Sequence, residues 1–273
     1  MKRLLSILGL CIATGSGTAL AAQDDDQLLL GVVEGVAEQM SMAEIQTKYK
    51  GLADHLGSVL NKKVKLESTQ SFRSAERNLK NQRYDFVFIR PSNVAAKALR
   101  DNKYQLVASA KAADFAANFI VKKDSPIKSV ADLHGKRVAM PEESSLMAQV
   151  GAAIMRDGKL NPEKESIQYA RLQETVLTLV EHGHADAGVV ASGQLKEWAK
   201  RGGVVAFKSK NLPFWSVIAS PNVSASDVEK AQKALVALES PDEVKRVLQP
   251  MTVKGFTVAG AQEYLDLLKW IKQ

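Results

Sequence analysis

The chain has 273 residues and a formal net charge of +7, from 37 Lys and Arg against 30 Asp and Glu, with a single cysteine. No block of about five or six like charges occurs, so the positive excess reads as solvated helix faces rather than a nucleic-acid surface, with a modest bias toward anionic ligands. One thiol excludes a disulfide framework within the chain.

The N-terminus opens with Met1-Lys2-Arg3, then an apolar run from Leu4 to Ala13, then small residues ending Ala19-Leu20-Ala21-Ala22. A basic start, a short apolar stretch and an A-x-A site in this order predict a cleavable export signal over residues 1–22. The run is shorter than the roughly 20 residues that span a bilayer. Cleavage removes Cys11, and with it thiolate metal sites and a cysteine nucleophile. A lipoprotein signal would want a small residue where Leu10 stands, so ordinary cleavage fits better. Loss of Lys2 and Arg3 takes the net charge from +7 to +5.

The mature sequence alternates short apolar runs with longer amphipathic ones. Strands are expected over 28–33, 64–68, 86–89 and 106–110, with helices over 42–60, 73–81 and 94–101 between them. Within the last of these, Val94, Ala95, Ala98 and Leu99 share one face. The middle repeats the pattern: strands over 118–121, 137–140, 167–170, 187–190 and 204–207, helices over 145–156, 175–182 and 194–201. A strand over 214–219 then runs back toward the first unit, and helices follow over 225–237, 241–248 and 259–271. Ser240 before Pro241 reads as an N-cap with proline in the first turn. Strand–helix alternation with short loops predicts an α/β fold with mostly parallel sheets flanked by helices. Two sheet units joined by two crossings, near 110–117 and 205–213, predict two lobes; neither crossing is a Gly/Ser linker, so one continuous α/β domain is the alternative. Lobe 1 takes residues 23–111 with 207–273, and lobe 2 takes 112–206.

Catalytic signatures are missing. There is no G-x-S-x-G elbow, no G-x-x-x-x-G-K-[ST] loop and no H-E-x-x-H pair. His182-Gly183-His184 has weak metal-ligand spacing and reads as a turn beside glycine. His134 falls in an expected tight turn, Asp132-Leu133-His134-Gly135-Lys136, and Glu142-Glu143 has no nucleophile nearby. No enzyme activity, metal or cofactor is expected.

Ligands of open α/β sheets bind beyond the carboxyl ends of strands. Three loops qualify: Glu34-Gly35, Arg90-Pro91-Ser92-Asn93, and Pro141-Glu142-Glu143-Ser144-Ser145. Ser92 or Asn93 can cap the helix that follows the second. Unpaired N–H groups at a helix start, with serine hydroxyls, form a donor cluster suited to an oxyanion. The same serines serve equally as plain N-caps.

The order of these features resembles the phosphate/phosphonate-binding-protein-like branch of periplasmic solute-binding proteins of ABC importers, which have the type II periplasmic-binding-protein fold. Four stretches carry the resemblance. The opening strand Leu28-Leu29-Leu30-Gly31-Val32-Val33 precedes a helix ending Tyr49-Lys50-Gly51-Leu52-Ala53-Asp54-His55-Leu56. Asp85-Phe86-Val87-Phe88-Ile89-Arg90-Pro91-Ser92 is similar to the family's D-I-A-x-x-G-P-x-S. Lys123-Asp124-Ser125-Pro126-Ile127-Lys128-Ser129-Val130-Ala131-Asp132-Leu133-His134-Gly135-Lys136 is close to its K-D-S-x-I-K-S-L-A-D-L-K-G-K. Asp186-Ala187-Gly188-Val189-Val190 resembles its D-A-G-A-V.

The resemblance implies a periplasmic protein that closes two lobes on a small anion and passes it to a membrane permease. Presentation of the closed form to a sensor kinase is the alternative. It also implies ligand contacts at Ser144, Ser145, Phe115, Arg90 and Ser92. Departures from the family pattern retune the site. Gln173 stands where a ligand-contacting histidine is frequent and can donate but not carry charge. Ala191-Ser192 replaces an acid that would bind an ammonium, which disfavours aminoalkylphosphonates. Arg90 replaces a glycine and reads either as an anion anchor or as a partner of Asp85. Glu34 would repel an anion unless paired, and could meet a ligand amine or Arg90. Phosphate, phosphite, a simple phosphonate or another small oxyanion remain open as ligands, as does an organic acid.

Overall fold

The structure, a computed structural model, describes residues 27–34, 40–69, 71–111 and 114–272. The expected export signal and Cys11 lie outside the described residues. Among those described, no helix is long and apolar enough to cross a membrane.

The first sheet has the order β11-β4-β10-β3-β1-β2. Its strands are β1 (Gln27–Val33), β2 (Lys63–Thr69), β3 (Phe86–Ile89), β4 (Gln105–Ala110), β10 (Ser216–Ala219) and β11 (Phe256–Thr257). β1 pairs in parallel with β2 and β3, while β10 inserts antiparallel between β3 and β4. β3 is buried throughout, as a strand covered on both faces must be. The second sheet has the order β7-β6-β8-β5-β9. It is built from β5 (Ala117–Lys122), β6 (Arg137–Pro141), β7 (Ser166–Ala170), β8 (Ala187–Ala191) and β9 (Gly203–Lys208). β6 pairs in parallel with β7 and β8, and β5 inserts antiparallel between β8 and β9.

Both sheets are therefore mixed, with one logic behind each reversed strand. The parallel strands point their carboxyl ends at the gap between the sheets. A chain that crosses the gap enters the other sheet at that end and must run away from it. This reverses β5 after the first crossing and β10 after the second. β9 extends to Lys208, so the second crossing starts beyond it, at Ser209. β10 starts only at Ser216, which leaves Phe214 and Trp215 in the crossing rather than in the expected strand.

Helices cover the sheets. They are α1 (Met42–Leu60), α2 (Phe72–Lys80), α3 (Ser92–Asp101), α4 (Leu146–Asp157), α5 (Gln173–Glu181), α6 (Leu195–Lys200), α7 (Ala225–Val236), α8 (Pro241–Glu243) and α9 (Ala261–Ile271). A wide π-type turn, Val244–Leu248, continues α8 where a plain helix is expected. In α1, Ile45, Tyr49, Leu52 and Leu56 recur at helical spacing, and they pack with Leu28, Leu30 and Val32 of β1. Ser41 and Glu44 close a reciprocal capping box at its start. Gly51 is needed there: a Cβ would lie 2.1 Å from the Arg246 carbonyl oxygen.

A single apolar cluster runs from lobe to lobe. Leu146, Met147, Val150 and Ile154 of α4 share it with Val94 and Ala95 of α3 and Tyr264, Leu268 and Ile271 of α9. Two polar links reinforce this seam. Asn93 Nδ2 donates to Gln149 Oε1 at 2.7 Å, and Trp270 Nε1 donates to Asp157 Oδ2 at 2.8 Å.

Candidate functional site

The carboxyl ends of β1, β3, β6 and β8 face one cavity of about 490 Å³ between the lobes. Lobe 1 supplies Glu34, Arg90 and Pro91; lobe 2 supplies Ser145, Gln173 and the turn after β8; the crossings supply Phe115, Phe214 and Trp215.

Glu34 follows β1 and is 4% exposed. It accepts hydrogen bonds from Tyr49 Oη and Arg90 Nη1, and Lys48 Nζ lies 3.2 Å away. Burial alone pushes its carboxyl up. The Arg90 charge, the Tyr49 and Arg90 hydrogen bonds and the Lys48 charge outweigh that and hold it below the ordinary value. Arg90 is fixed on a second side by Trp215, whose ring centroid is 4.0 Å from the guanidinium carbon. Of the alternatives open in the sequence, Arg90 thus meets Glu34 and not Asp85. The Asp85 carboxylate instead accepts the Leu29 N–H at 2.7 Å.

On the opposite wall, Ser145 is 2% exposed and caps α4, accepting the Ala148 N–H at 3.3 Å. Its own O–H remains a donor. Leu146 and Met147 also line the cavity. Their N–H groups sit in the first turn, where no intrahelical acceptor exists. Gln173 Oε1 accepts the Ala191 N–H at 2.7 Å, which leaves the amide N–H donors for the cavity. Ser192 Oγ accepts the Ala116 N–H at 3.1 Å and so ties the turn after β8 to the first crossing.

Of the seven residues singled out in the sequence, Glu34, Arg90, Phe115, Ser145 and Gln173 line the cavity, and Ser92 and Ser144 do not. Neither Ser92 nor Asn93 caps α3; Pro91 holds that position without a side-chain bond. Ser92 is fully buried and donates to the carbonyl oxygens of Pro213 and Phe214, which anchors the second crossing. Ser144 is exposed and donates to Glu142 Oε1 at 2.7 Å. His182 and His184 have ring centroids 6.5 Å apart, and no cluster of metal-ligating side chains occurs among the described residues.

The sequence reading missed Phe214, Trp215, Lys111 and Lys254. The first two stack at 4.2 Å, and Phe115 meets Phe214 edge-on at 4.9 Å. Lys111 and Lys254 are exposed and stand at the rim with Asp114, itself paired to Lys208 at 2.9 Å. A Phe-Trp pair directly after a proline, in a crossing segment, was the available signal for the aromatic wall.

Two sheets with reversed crossing strands and a cavity at their carboxyl ends define a type II periplasmic binding protein. Solved structures agree on the fold. XAC2383 from Xanthomonas citri, bound to chloride, is 16% identical with a TM-score of 0.76, over 90% of this chain and 98% of that one. The same protein bound to ATP gives 16% and 0.75, over 90% and 97%. PhnD1 from Prochlorococcus marinus, in complex with methylphosphonate, gives 15% and 0.72, over 90% and 97%. Residues 35–264 match the family described as ABC transporter, phosphonate, periplasmic substrate-binding protein. The chain belongs to that family, whose members are solute-binding proteins of importers rather than enzymes.

Proposed function

We propose that this protein captures a phosphonate-type anion in the cavity between its lobes and delivers it to the permease of an ABC importer. The observation that carries this reading is the charge balance of the cavity. Both carboxylates that line it already have cations: Glu34 has Arg90 and Lys48, and Asp114 has Lys208. With Lys111 and Lys254 at the rim, three cations line the cavity with two carboxylates, and Lys48 and Lys208 pair with those carboxylates from outside the lining. A field of this sign attracts an anion and raises its association rate. The donors on the lobe 2 wall, Ser145 Oγ, the first-turn N–H groups of α4 and the Gln173 amide, suit its oxygens. The chloride, ATP and methylphosphonate bound by the structural neighbours are anions too.

The reading includes export by the signal over residues 1–22 and release into the periplasm. It also divides the chain into lobe 1, residues 23–111 with 207–273, and lobe 2, residues 112–206, with the last residues of β9 completing the second sheet.

Calorimetric titration with methylphosphonate, phosphate and phosphite tests it. At least one binds with one-to-one stoichiometry, and Ser145→Ala weakens that complex by about 1–3 kcal/mol, the value of a hydroxyl donating to charge. Absence of binding by all three would refute the anion reading. Unchanged affinity in the variant would remove Ser145 from the site.

A further inference from the structure

The cavity is much larger, and much less polar, than a bare oxyanion requires. Its volume of about 490 Å³ is that of roughly sixteen waters at ~30 Å³ each, and falls in the range of about 300–1,000 Å³ that holds drug-sized ligands. A simple phosphonate occupies a small part of it. Phe72, Phe115, Phe214 and Trp215 account for much of the remaining wall. A small oxyanion placed against these groups would find no donors for its oxygens there, and an unsatisfied charged oxygen is costly.

The aromatic groups are arranged rather than scattered. Arg90, Trp215, Phe214 and Phe115 form a continuous chain of contacts at 4.0, 4.2 and 4.9 Å. The anchor of that chain is Ser92, which holds the Pro213 and Phe214 carbonyls from the buried side. The rings of Phe115, Phe214 and Trp215 are only half-buried although they lie between the lobes. Apolar faces left open to water at the center of a fold cost hydrophobic free energy unless a ligand covers them. The charged and donor groups are Arg90, Ser145, Gln173 and the rim lysines, and the aromatic wall adjoins them where Trp215 meets Arg90.

We infer that the ligand has two parts, an anionic head held by the donor groups and a planar aromatic body covered by Phe115, Phe214 and Trp215. This rests on the anion reading above and adds the class of ligand: an aryl or arylalkyl phosphonate, or a phosphate ester of similar shape. Aromatic faces stack on such a body in offset or edge-on geometry. A methyl group covers too little of the wall to gain much.

Three probes separate the two ideas in one calorimetric experiment on the purified protein: phenylphosphonate, methylphosphonate and neutral benzyl alcohol. Phenylphosphonate should bind about tenfold to a hundredfold tighter than methylphosphonate, the gain expected from burying one ring. Benzyl alcohol should bind far more weakly than either anion. Equal or tighter binding of methylphosphonate would overturn the aromatic inference and leave the anion reading standing. Benzyl alcohol binding as well as phenylphosphonate would overturn both, because the head would then contribute nothing, and no binding by any probe would overturn the aromatic inference. In the Trp215→Leu variant the phenyl-to-methyl preference should shrink severalfold. A preference unchanged in that variant would overturn the placement of the ring on this wall.

Discussion

Replacing Glu34 with glutamine separates the stability of the site from its charge. The native carboxylate neutralises two cations, Arg90 and Lys48, whose side chains are each only 11% exposed. At an effective dielectric of about 20, unit charges at the Lys48–Glu34 distance of 3.2 Å attract by about 5 kcal/mol before desolvation is subtracted. Removing one member of a buried pair typically costs about 3–5 kcal/mol. Glutamine keeps an acceptor for Tyr49 and nearly the same volume, and both cations retain a path to water. The expected loss is therefore about 2–3 kcal/mol, read by urea denaturation monitored by circular dichroism. The same substitution frees the Arg90 charge for a ligand, so phosphonate affinity should rise by roughly threefold to tenfold, about 1 kcal/mol. A variant as stable as the parent would refute the buried cluster. A variant that is destabilised but binds anions no better would refute the claim that Glu34 spends the charge of Arg90.

Three further outcomes follow from the same structure. Because the folded state holds the Glu34 carboxyl below its ordinary value of 4.5, its ionised form stabilises the fold above that pH. The contribution is lost as pH falls through the folded value. The stability gap between parent and Glu34→Gln should narrow steadily below about pH 4.5, and a gap that stays constant to pH 3 would contradict the assignment. Gly51→Ala should lower stability by about 1–3 kcal/mol through overpacking against the Arg246 carbonyl, and a neutral result in thermal melts would show that the approach of these backbones is looser. Asn93→Ala removes the donor to Gln149 Oε1 and should cost about 1 kcal/mol at the seam between lobes. The unliganded variant should then show a larger radius of gyration in small-angle scattering, and an unchanged radius would deny the seam a part in closure.

Local patterning made the scaffold readable. Helix 42–60 and strand 86–89 fall where periodicity and apolar runs place them, because capping and burial act there over neighbouring residues. The donor wall was also legible, since Ser145 follows a strand and opens a helix, a place defined by sequence order. Other features depend on what comes together in space. Phe214 and Trp215 read as the start of a strand, and only the pairing of Ser216 with Ile89 and Ser109 shows that the ladder begins after them. Lys111 and Lys254 are ordinary surface lysines in sequence and become rim charges only when the first crossing meets the segment before β11. Ser92 stands in a loop that suits a ligand, yet its hydroxyl turns to the carbonyls of the second crossing, a partner more than 120 residues away. The choice between Asp85 and Glu34 for Arg90 was likewise a matter of register, settled when Asp85 turned to the Leu29 amide.

The central claim is that a phosphonate-type anion binds between the lobes. A crystal structure grown with saturating methylphosphonate tests it most directly. The account predicts density for one anion in the cavity, with an oxygen within hydrogen-bonding distance of Ser145 Oγ and residues of both lobes in contact with it. An empty cavity under those conditions, or an anion bound only elsewhere on the surface, would contradict it.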